Sequence, residues 1–297
     1  MKRTFLPAAV LILLASCGGQ EKSVSEKTPG LVIGGEDAGA SPASIYQMPT
    51  PNELFSLVRD LAGEGHKRLL NPTTHADKYI SRKSRAVNFG IYSTDLVYAS
   101  SFRLNVEVAR YYLTTKKLAE EMGIASAFSD ADFVRLEQNL TRGDSLEVIS
   151  NNAYLKAYEK LEDERMGSTL ALVLAGGWVE SMQILIRQVE AFGRNDAFTD
   201  RIAEQKVTLE HLLAIMEMYP DDADVASLRE QLLQVRDIYD TMETRERPAK
   251  PAPTEDKLVI GNDTDLLLTD DTYTDLMNAV LALREELTRP EDQQQIQ

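Results

Sequence analysis

Three polar side chains share one face of a helix that the sequence predicts near residue 90. Asn88, Tyr92 and Asp95 are spaced by four and then three residues, and such spacing stacks side chains on one helical face. Apolar residues flank them, so the carboxyl group of Asp95 needs a hydrogen bond or an opposite charge. Arg110 and Tyr111, on the next predicted helix, are candidate partners. We expect either a polar network that locks helices together or a binding pocket that contains a carboxylate.

A second acid interrupts the most apolar stretch of the chain. Glu180 and its neighbour Trp178 lie within residues 170–186, where no other residue is charged. The apolar run before Glu180 is shorter than the roughly 20 residues that span a bilayer, so we predict a central core helix. Gly176 and Gly177 weaken a helix by about 1 kcal/mol each relative to alanine, which indicates that another backbone packs closely against them. Trp178 and Glu180 complete the candidate binding site.

The two interpretations of this site differ in what Asp95→Asn should do. In a structural network, the substitution would remove a charge-assisted hydrogen bond worth about 1.5–3 kcal/mol, and stability should fall. In a functional pocket, the same change could leave the protein as stable or more stable while ligand binding is lost. From the sequence we favour the structural network and the loss of stability.

The usual sequence signatures of catalysis and metal binding are missing. The chain has no Gly-x-Ser-x-Gly, Ser-x-x-Lys or phosphate-binding glycine motif. Its three histidines, His66, His75 and His211, do not fall three or four residues from one another, as a zinc site on one helical face would require. We therefore predict no catalytic residue, no metal site and no cofactor.

The charge of the chain argues against nucleic acid as a partner. The formal net charge is −15 and the isoelectric point is near 4.7. Nucleic-acid binding depends on lysines and arginines that neutralise phosphates, and the sequence has no dense basic stripe. The acidity indicates a solvated surface that keeps the chain soluble, with an acidic docking face for a basic partner as the alternative.

The body of the chain is predicted to be helical. Apolar residues recur at spacings of three and four from Pro51 to Met242, with few alternating patterns. The fold class is therefore all-α, a multi-helix bundle of about seven to eight antiparallel helices. We place this bundle domain at residues 51–243. Tyr219-Pro220 ends one helix before the next is capped, which predicts an antiparallel hairpin there.

The C-terminal part is predicted to be a separate arm. A charged, proline-rich linker covers residues 244–257. Residues 258–289 begin with two apolar runs on either side of Gly261-Asn262, which predict a small β-hairpin or an extended arm. A helix from Asp271 to Leu287 follows, and its apolar stripe should dock on the bundle.

The start of the chain carries a different kind of motif. Lys2 and Arg3 precede an apolar run that ends in Leu14-Ala15-Ser16-Cys17, and Cys17 is the only cysteine. This arrangement resembles the lipobox of bacterial lipoprotein signal peptides. The resemblance implies that residues 1–16 are a signal peptide and that Cys17 is acylated after cleavage. Several acyl chains would hold the mature protein firmly to a lipid bilayer.

The same resemblance implies a location and leaves the activity open. Residues 17–50 are rich in glycine and proline and predict a flexible tether, with Leu31-Val32-Ile33 as a candidate short strand. Gly18 is not the aspartate that favours inner-membrane retention in some bacteria, so the outer membrane of the cell envelope is preferred. We expect a non-enzymatic scaffold or binding module with an envelope protein as partner. The alternative is an enzyme or small-ligand-binding protein with a carboxylate-containing pocket between helices.

Overall fold

The computed structural model describes the helical body and the C-terminal helix of the chain. The predicted signal peptide, Cys17, most of the predicted tether and most of the predicted linker lie outside the described residues. The described residues are 31–33, 46–48, 54–55, 59, 66–140, 143–193, 196–246 and 264–294.

The predicted all-α bundle is confirmed. Within the described residues, eight long helices are followed by a ninth, short helix. They are α1 Arg82–Ser101, α2 Asn105–Glu121, α3 Asp130–Asn139, α4 Gly143–Asp163, α5 Gly167–Phe192, α6 Asp196–Glu217, α7 Ala223–Asp240, α8 Asp270–Thr288 and α9 Glu291–Gln294.

The start of α1 differs from the sequence prediction. The sequence pattern predicts a single helix from about Pro72 to Ser101, whereas the chain forms a short 3-10 helix at Thr73–Lys78 and begins α1 only at Arg82. Ser81 causes the break, because its side chain accepts a hydrogen bond from the backbone N–H of Ser84 and so caps α1. Because α1 begins only after Ser81, the segment before it can fold across the bundle.

Neighbouring helices in the sequence pair antiparallel, but the central pair is parallel. In the α6–α7 hairpin, the hydroxyl group of Tyr239 donates to the carbonyl of Ile202, near opposite ends of the two helices. By contrast, Arg82 bonds to Ser168 at the starts of α1 and α5, and Gln188 bonds to Tyr98 toward their ends. Helices α1 and α5 therefore run side by side in the same direction.

Glycines allow the backbones of α1 and α5 to approach closely, as Gly176 and Gly177 predicted. A methyl group on Gly176 would overlap the carbonyl oxygen of Val87, and one on Gly90 would overlap the carbonyl oxygen of Val173. Gly177 has more room, because its added Cβ would meet the side-chain oxygen of Thr94 at 3.3 Å. The close contact therefore depends on Gly90 and Gly176.

Gly176→Ala should destabilise the protein even though alanine is the better helix former. The gain in helix propensity is about 1 kcal/mol, whereas overpacking against a fixed backbone carbonyl costs about 1–3 kcal/mol or more. We expect a lower denaturant midpoint for Gly176→Ala and a midpoint close to wild type for the matched Gly177→Ala. Equal midpoints in the two variants would show that the helices can move apart freely.

Helix α5 is the most deeply enclosed element. Among the described residues, its segment Gly167–Ala191 is the one helix long and apolar enough to cross a membrane, with a mean hydropathy of 1.5, and that apolar window is entirely buried within the fold. Such burial is typical of the core helix of a soluble bundle. Helix α8 runs antiparallel to α5, because Tyr273 contacts Ile186 while Arg284 contacts Glu180.

Two small antiparallel sheets accompany the helices. In the first, β1 (Leu31–Ile33) pairs with β2 (Tyr46–Met48), so the segment predicted as a tether contains a strand pair. In the second, β3 (Glu243–Glu246) pairs with β4 (Thr264–Leu267). The sequence had predicted residues 257–260 as the partner of this last strand, and that run lies outside the described residues. The partner is instead the chain leaving α7, which we had assigned to the linker.

Candidate functional site

The structure brings four of the predicted site residues together in the core. Asn88, Tyr92 and Asp95 face inward from α1, and Glu180 faces inward from α5. All four are fully buried, with an exposed fraction of 0%. The parallel contact between α1 and α5 brings the two carboxyl groups near each other, since Thr94 on α1 reaches Gly177 on α5 and Glu180 acts electrostatically on Asp95.

Arg110 was wrongly assigned to this site. Its side chain is 55% exposed on the outside of α2, where it pairs with Glu107 at 3.0 Å. Arg110 is followed by Tyr111, which turns inward instead. The one-residue offset on a helix rotates the side chain by about 100°, and this rotation decides which of the two enters the core.

The basic partner is Arg284 from α8. Its Nε donates to Glu180 Oε2 at 2.8 Å and its Nη2 donates to Glu180 Oε1 at 3.0 Å. Both acceptors belong to one carboxyl group, so the contact is bidentate and has a fixed orientation. A signal for Arg284 existed in the sequence, because it falls between Val280 and Leu287 on the apolar stripe of the C-terminal helix.

Asp95 is held differently from Glu180. Its Oδ2 accepts a hydrogen bond from the backbone N–H of Asn71 at 2.9 Å. Its Oδ1 is buried and has no donor among the described residues. Burial raises the pKa of Asp95 well above the usual range, the neighbouring Glu180 raises that pKa further, and Arg284 partly opposes the shift. Asp95 therefore retains its proton at pH values where an exposed aspartate has lost it.

The segment before α1 covers the acid pair, and tyrosines hold it in place. Tyr111 donates to the carbonyl of Asn71 at 2.7 Å, and Tyr92 donates to the carbonyl of Pro72 at 2.8 Å. Tyr79 donates to the carbonyl of Thr288 at 2.9 Å. Burial raises the pKa of each of these tyrosines, so they remain neutral donors. Sequence analysis did not identify Asn71 or Tyr79, because nothing local marks a loop as a cover.

Asn88 joins the end of α8 to α1. Its Nδ2 donates to the carbonyl of Leu287 at 2.9 Å and to the carbonyl of Ser84 at 2.9 Å. Asn71 approaches from the other side, with its Nδ2 at 3.5 Å from Asn88 Oδ1. The amide of Asn88 therefore satisfies the carbonyl group of Leu287 in the last turn of α8, where no further turn of the helix follows to bond it.

Trp178 is buried but takes no part in these polar contacts. Its side chain is 4% exposed, and its indole N–H has no acceptor among the described residues. Glu180 lies two residues further along α5, which is about 200° around the helix. The structure therefore separates Trp178 from the acid pair and assigns it to the apolar core.

A small cavity lies near the site but does not include the acid pair. Its volume is about 150 Å³, and it is bounded by the start of α1 and the end of α8. The carboxylate of Glu291 lines it and accepts hydrogen bonds from the Ser81 N–H at 3.0 Å and the Ser81 hydroxyl group at 2.7 Å. Pockets for small ligands are typically about 300–1,000 Å³. Within the described ranges, no group of three or more His, Cys, Asp or Glu side chains is placed to hold a metal ion.

Comparison of the chain with models of protein families, with curated proteins and with solved structures finds no match. The function must therefore be argued from the residues themselves.

Proposed function

We propose that this protein is a membrane-anchored lipoprotein of the cell envelope, preferentially at the outer membrane, whose helical body acts as a non-enzymatic scaffold or binding module. The anchor rests on the resemblance of residues 14–17 to a lipobox. The function of the body rests on the candidate site, whose buried groups are engaged with the protein itself.

The observation that carries the non-enzymatic interpretation is the bidentate contact between Glu180 and Arg284. It uses both oxygens of the glutamate and fixes α8 against α5. Asp95 holds the covering segment through Asn71, and Asn88 holds the end of α8. A reactive carboxylate has to reach a substrate, whereas these groups join three separate parts of the chain. They support a structural network in the core. A partner would therefore bind to the outer surface of the body.

One observation favours the alternative, a pocket that binds a small ligand or performs catalysis. Asp95 Oδ1 has no donor among the described residues, and a ligand with an N–H or O–H group could supply one. This alternative requires that α8 or the covering segment move, because the exposed fraction of Asp95 is 0%.

The anchor is tested by Cys17→Ser. Without the thiol no acyl chain can be attached, so the variant should leave the membrane fraction and appear in the soluble fraction with its body folded. Circular dichroism of the released protein checks the fold. Sedimentation of the variant with membranes after a salt wash would contradict the lipobox prediction.

The function of the body is tested by co-purification from detergent-solubilised membranes. The scaffold proposal expects an envelope protein that is recovered at a fixed ratio with the wild-type chain and with Asp95→Asn alike. Co-purification with the Cys17→Ser chain distinguishes a protein partner from material carried along in the micelle. A small molecule that is bound at a fixed ratio by wild type and lost in Asp95→Asn, without any protein partner, would overturn the proposal in favour of the pocket.

A further inference from the structure

We propose that Asp95 and Glu180 hold a single proton between them and that this proton controls how firmly α8 closes over the site. Protonation of the cluster of Asp95, Glu180 and Arg284 would then control how tightly the C-terminal helix docks on the bundle. This inference concerns the core of the body and is independent of the membrane anchor.

The cluster has one carboxyl group more than it has cations, and it lacks a hydrogen-bond donor for one oxygen. Two carboxyl groups with an exposed fraction of 0% face one guanidinium group. Glu180 uses both oxygens to accept from Arg284, and Asp95 Oδ1 has no donor. Two neighbouring carboxylates buried without water would repel each other, whereas one proton turns Asp95 Oδ1 from an acceptor without a partner into a donor. With that proton the cluster is electrically neutral.

None of the described hydrogen bonds supplies the missing hydrogen to Asp95 Oδ1. The titratable side chains that act electrostatically on the cluster are His75, Tyr79, Tyr92, Tyr98 and Tyr111. The hydroxyl groups of Tyr79, Tyr92 and Tyr111 donate to backbone carbonyls, whereas the hydroxyl group of Tyr98 accepts from the His66 N–H and from Gln188 Nε2. Burial lowers the pKa of His75, and the nearby Lys78 lowers it further, so the imidazole does not add a second cation at neutral pH. Lys78 itself pairs with Asp292 at 3.0 Å.

The proton is linked to α8 through Arg284. Arg284 is the only part of the cluster that comes from the C-terminal helix, and its partner Glu180 also acts electrostatically on Asp95. If Asp95 loses its proton, the closed site holds two negative charges and one positive charge without water. Opening α8 admits water and restores an ordinary aspartate, so opening releases a proton. Proton release makes opening more favourable as the pH rises, by up to about tenfold for each pH unit.

The stability that the proton on Asp95 contributes should fall as the pH rises. A carboxyl group whose pKa is raised in the folded state contributes most stability at pH values below its unfolded value of about 4. That contribution is lost as the pH rises toward the folded pKa. Asparagine resembles the protonated acid, because its Oδ1 can still accept from Asn71 while its Nδ2 can donate to Glu180. The structure therefore reverses the sequence-based expectation, and Asp95→Asn should be as stable as wild type or more stable, increasingly so at higher pH.

Infrared spectroscopy tests the proton directly. Spectra are recorded at pH 7 on the full chain in the Cys17→Ser background, which carries no acyl ester carbonyl. We expect the carbonyl band of a protonated carboxyl group in the parent chain and its loss in Asp95→Asn. Asp237→Asn, which removes a surface partner of Arg236, should keep the band. Absence of the band from the parent chain would overturn the proposal without reference to any variant.

Hydrogen exchange tests whether the proton controls the docking of α8. Amide exchange in Asp270–Thr288 is measured between pH 6 and pH 8 and corrected for intrinsic rates. In the parent chain, the opening constant of α8 should increase up to about tenfold per pH unit, whereas in Asp95→Asn it should be nearly constant. If both chains show the same pH dependence, the proton does not control the docking of α8 and the proposal fails.

Discussion

Arg284→Met should lower the free energy of unfolding by about 3–5 kcal/mol at neutral pH, because it removes one partner of a buried ion pair. Arg284 has a side chain that is 18% exposed, and Glu180 is completely buried. The variant leaves two carboxyl groups in the core without a cation. Buried carboxyls can escape this cost only by taking up protons, so the loss should be smaller at pH 5 than at pH 8. Chemical denaturation at the two pH values measures it.

A matched control separates this effect from the loss of any arginine. Arg187 lies on α5 and pairs with Glu190 at 2.6 Å, but these side chains are 41% and 39% exposed. Arg187→Met should therefore cost less than about 1 kcal/mol. Adding Glu180→Gln to Arg284→Met should recover most of the lost stability, because the uncompensated charge is gone. Equal losses for the two arginine variants would show that the buried pair contributes nothing beyond an exposed one.

The sequence contained most of the information needed for the helices. Their ends are marked locally, as at Asp222, whose side chain accepts from the N–H groups of Asp224 and Val225 and caps α7. The glycine pair in α5 also indicated a close backbone contact, and the structure confirms it at Gly176. What periodicity could not provide is the identity and direction of the partner helix. The parallel pairing of α1 with α5 is set by packing across more than 80 residues, as the hydrogen bond from Arg82 to Ser168 illustrates.

The candidate site was predictable to the extent that it lies on single helices. Spacing along α1 placed Asn88, Tyr92 and Asp95 on one face, and an acid within an apolar helix identified Glu180. The prediction failed for the basic partner, because proximity in sequence favoured Arg110 and the true partner follows Glu180 by 104 residues. An arginine within the apolar stripe of a C-terminal helix was the available signal. It becomes interpretable only when the helix that receives it is known.

Trp178→Ala is the second substitution with a large expected effect. Trp178 is the only tryptophan and is 4% exposed, so its removal should leave a cavity in the centre of α5. Replacement of a buried tryptophan by alanine costs about 3–5 kcal/mol. Part of this cost is the lost burial of apolar surface away from water, and part is the cavity that remains. Thermal unfolding followed by circular dichroism measures the loss, since the variant has no tryptophan fluorescence.

Trp178→Phe is the matched control for this prediction and tests the indole N–H at the same time. Phenylalanine keeps most of the aromatic volume and removes a buried N–H that has no acceptor among the described residues. Because an unsatisfied buried donor costs about 1–3 kcal/mol, its removal should offset much of the lost packing. We expect Trp178→Phe to remain within about 1.5 kcal/mol of wild type. If Trp178→Ala kept the wild-type midpoint, the apolar face of α5 around Trp178 would contribute little to the core. If Trp178→Phe lost as much stability as Trp178→Ala, the indole N–H would be hydrogen-bonded in solution.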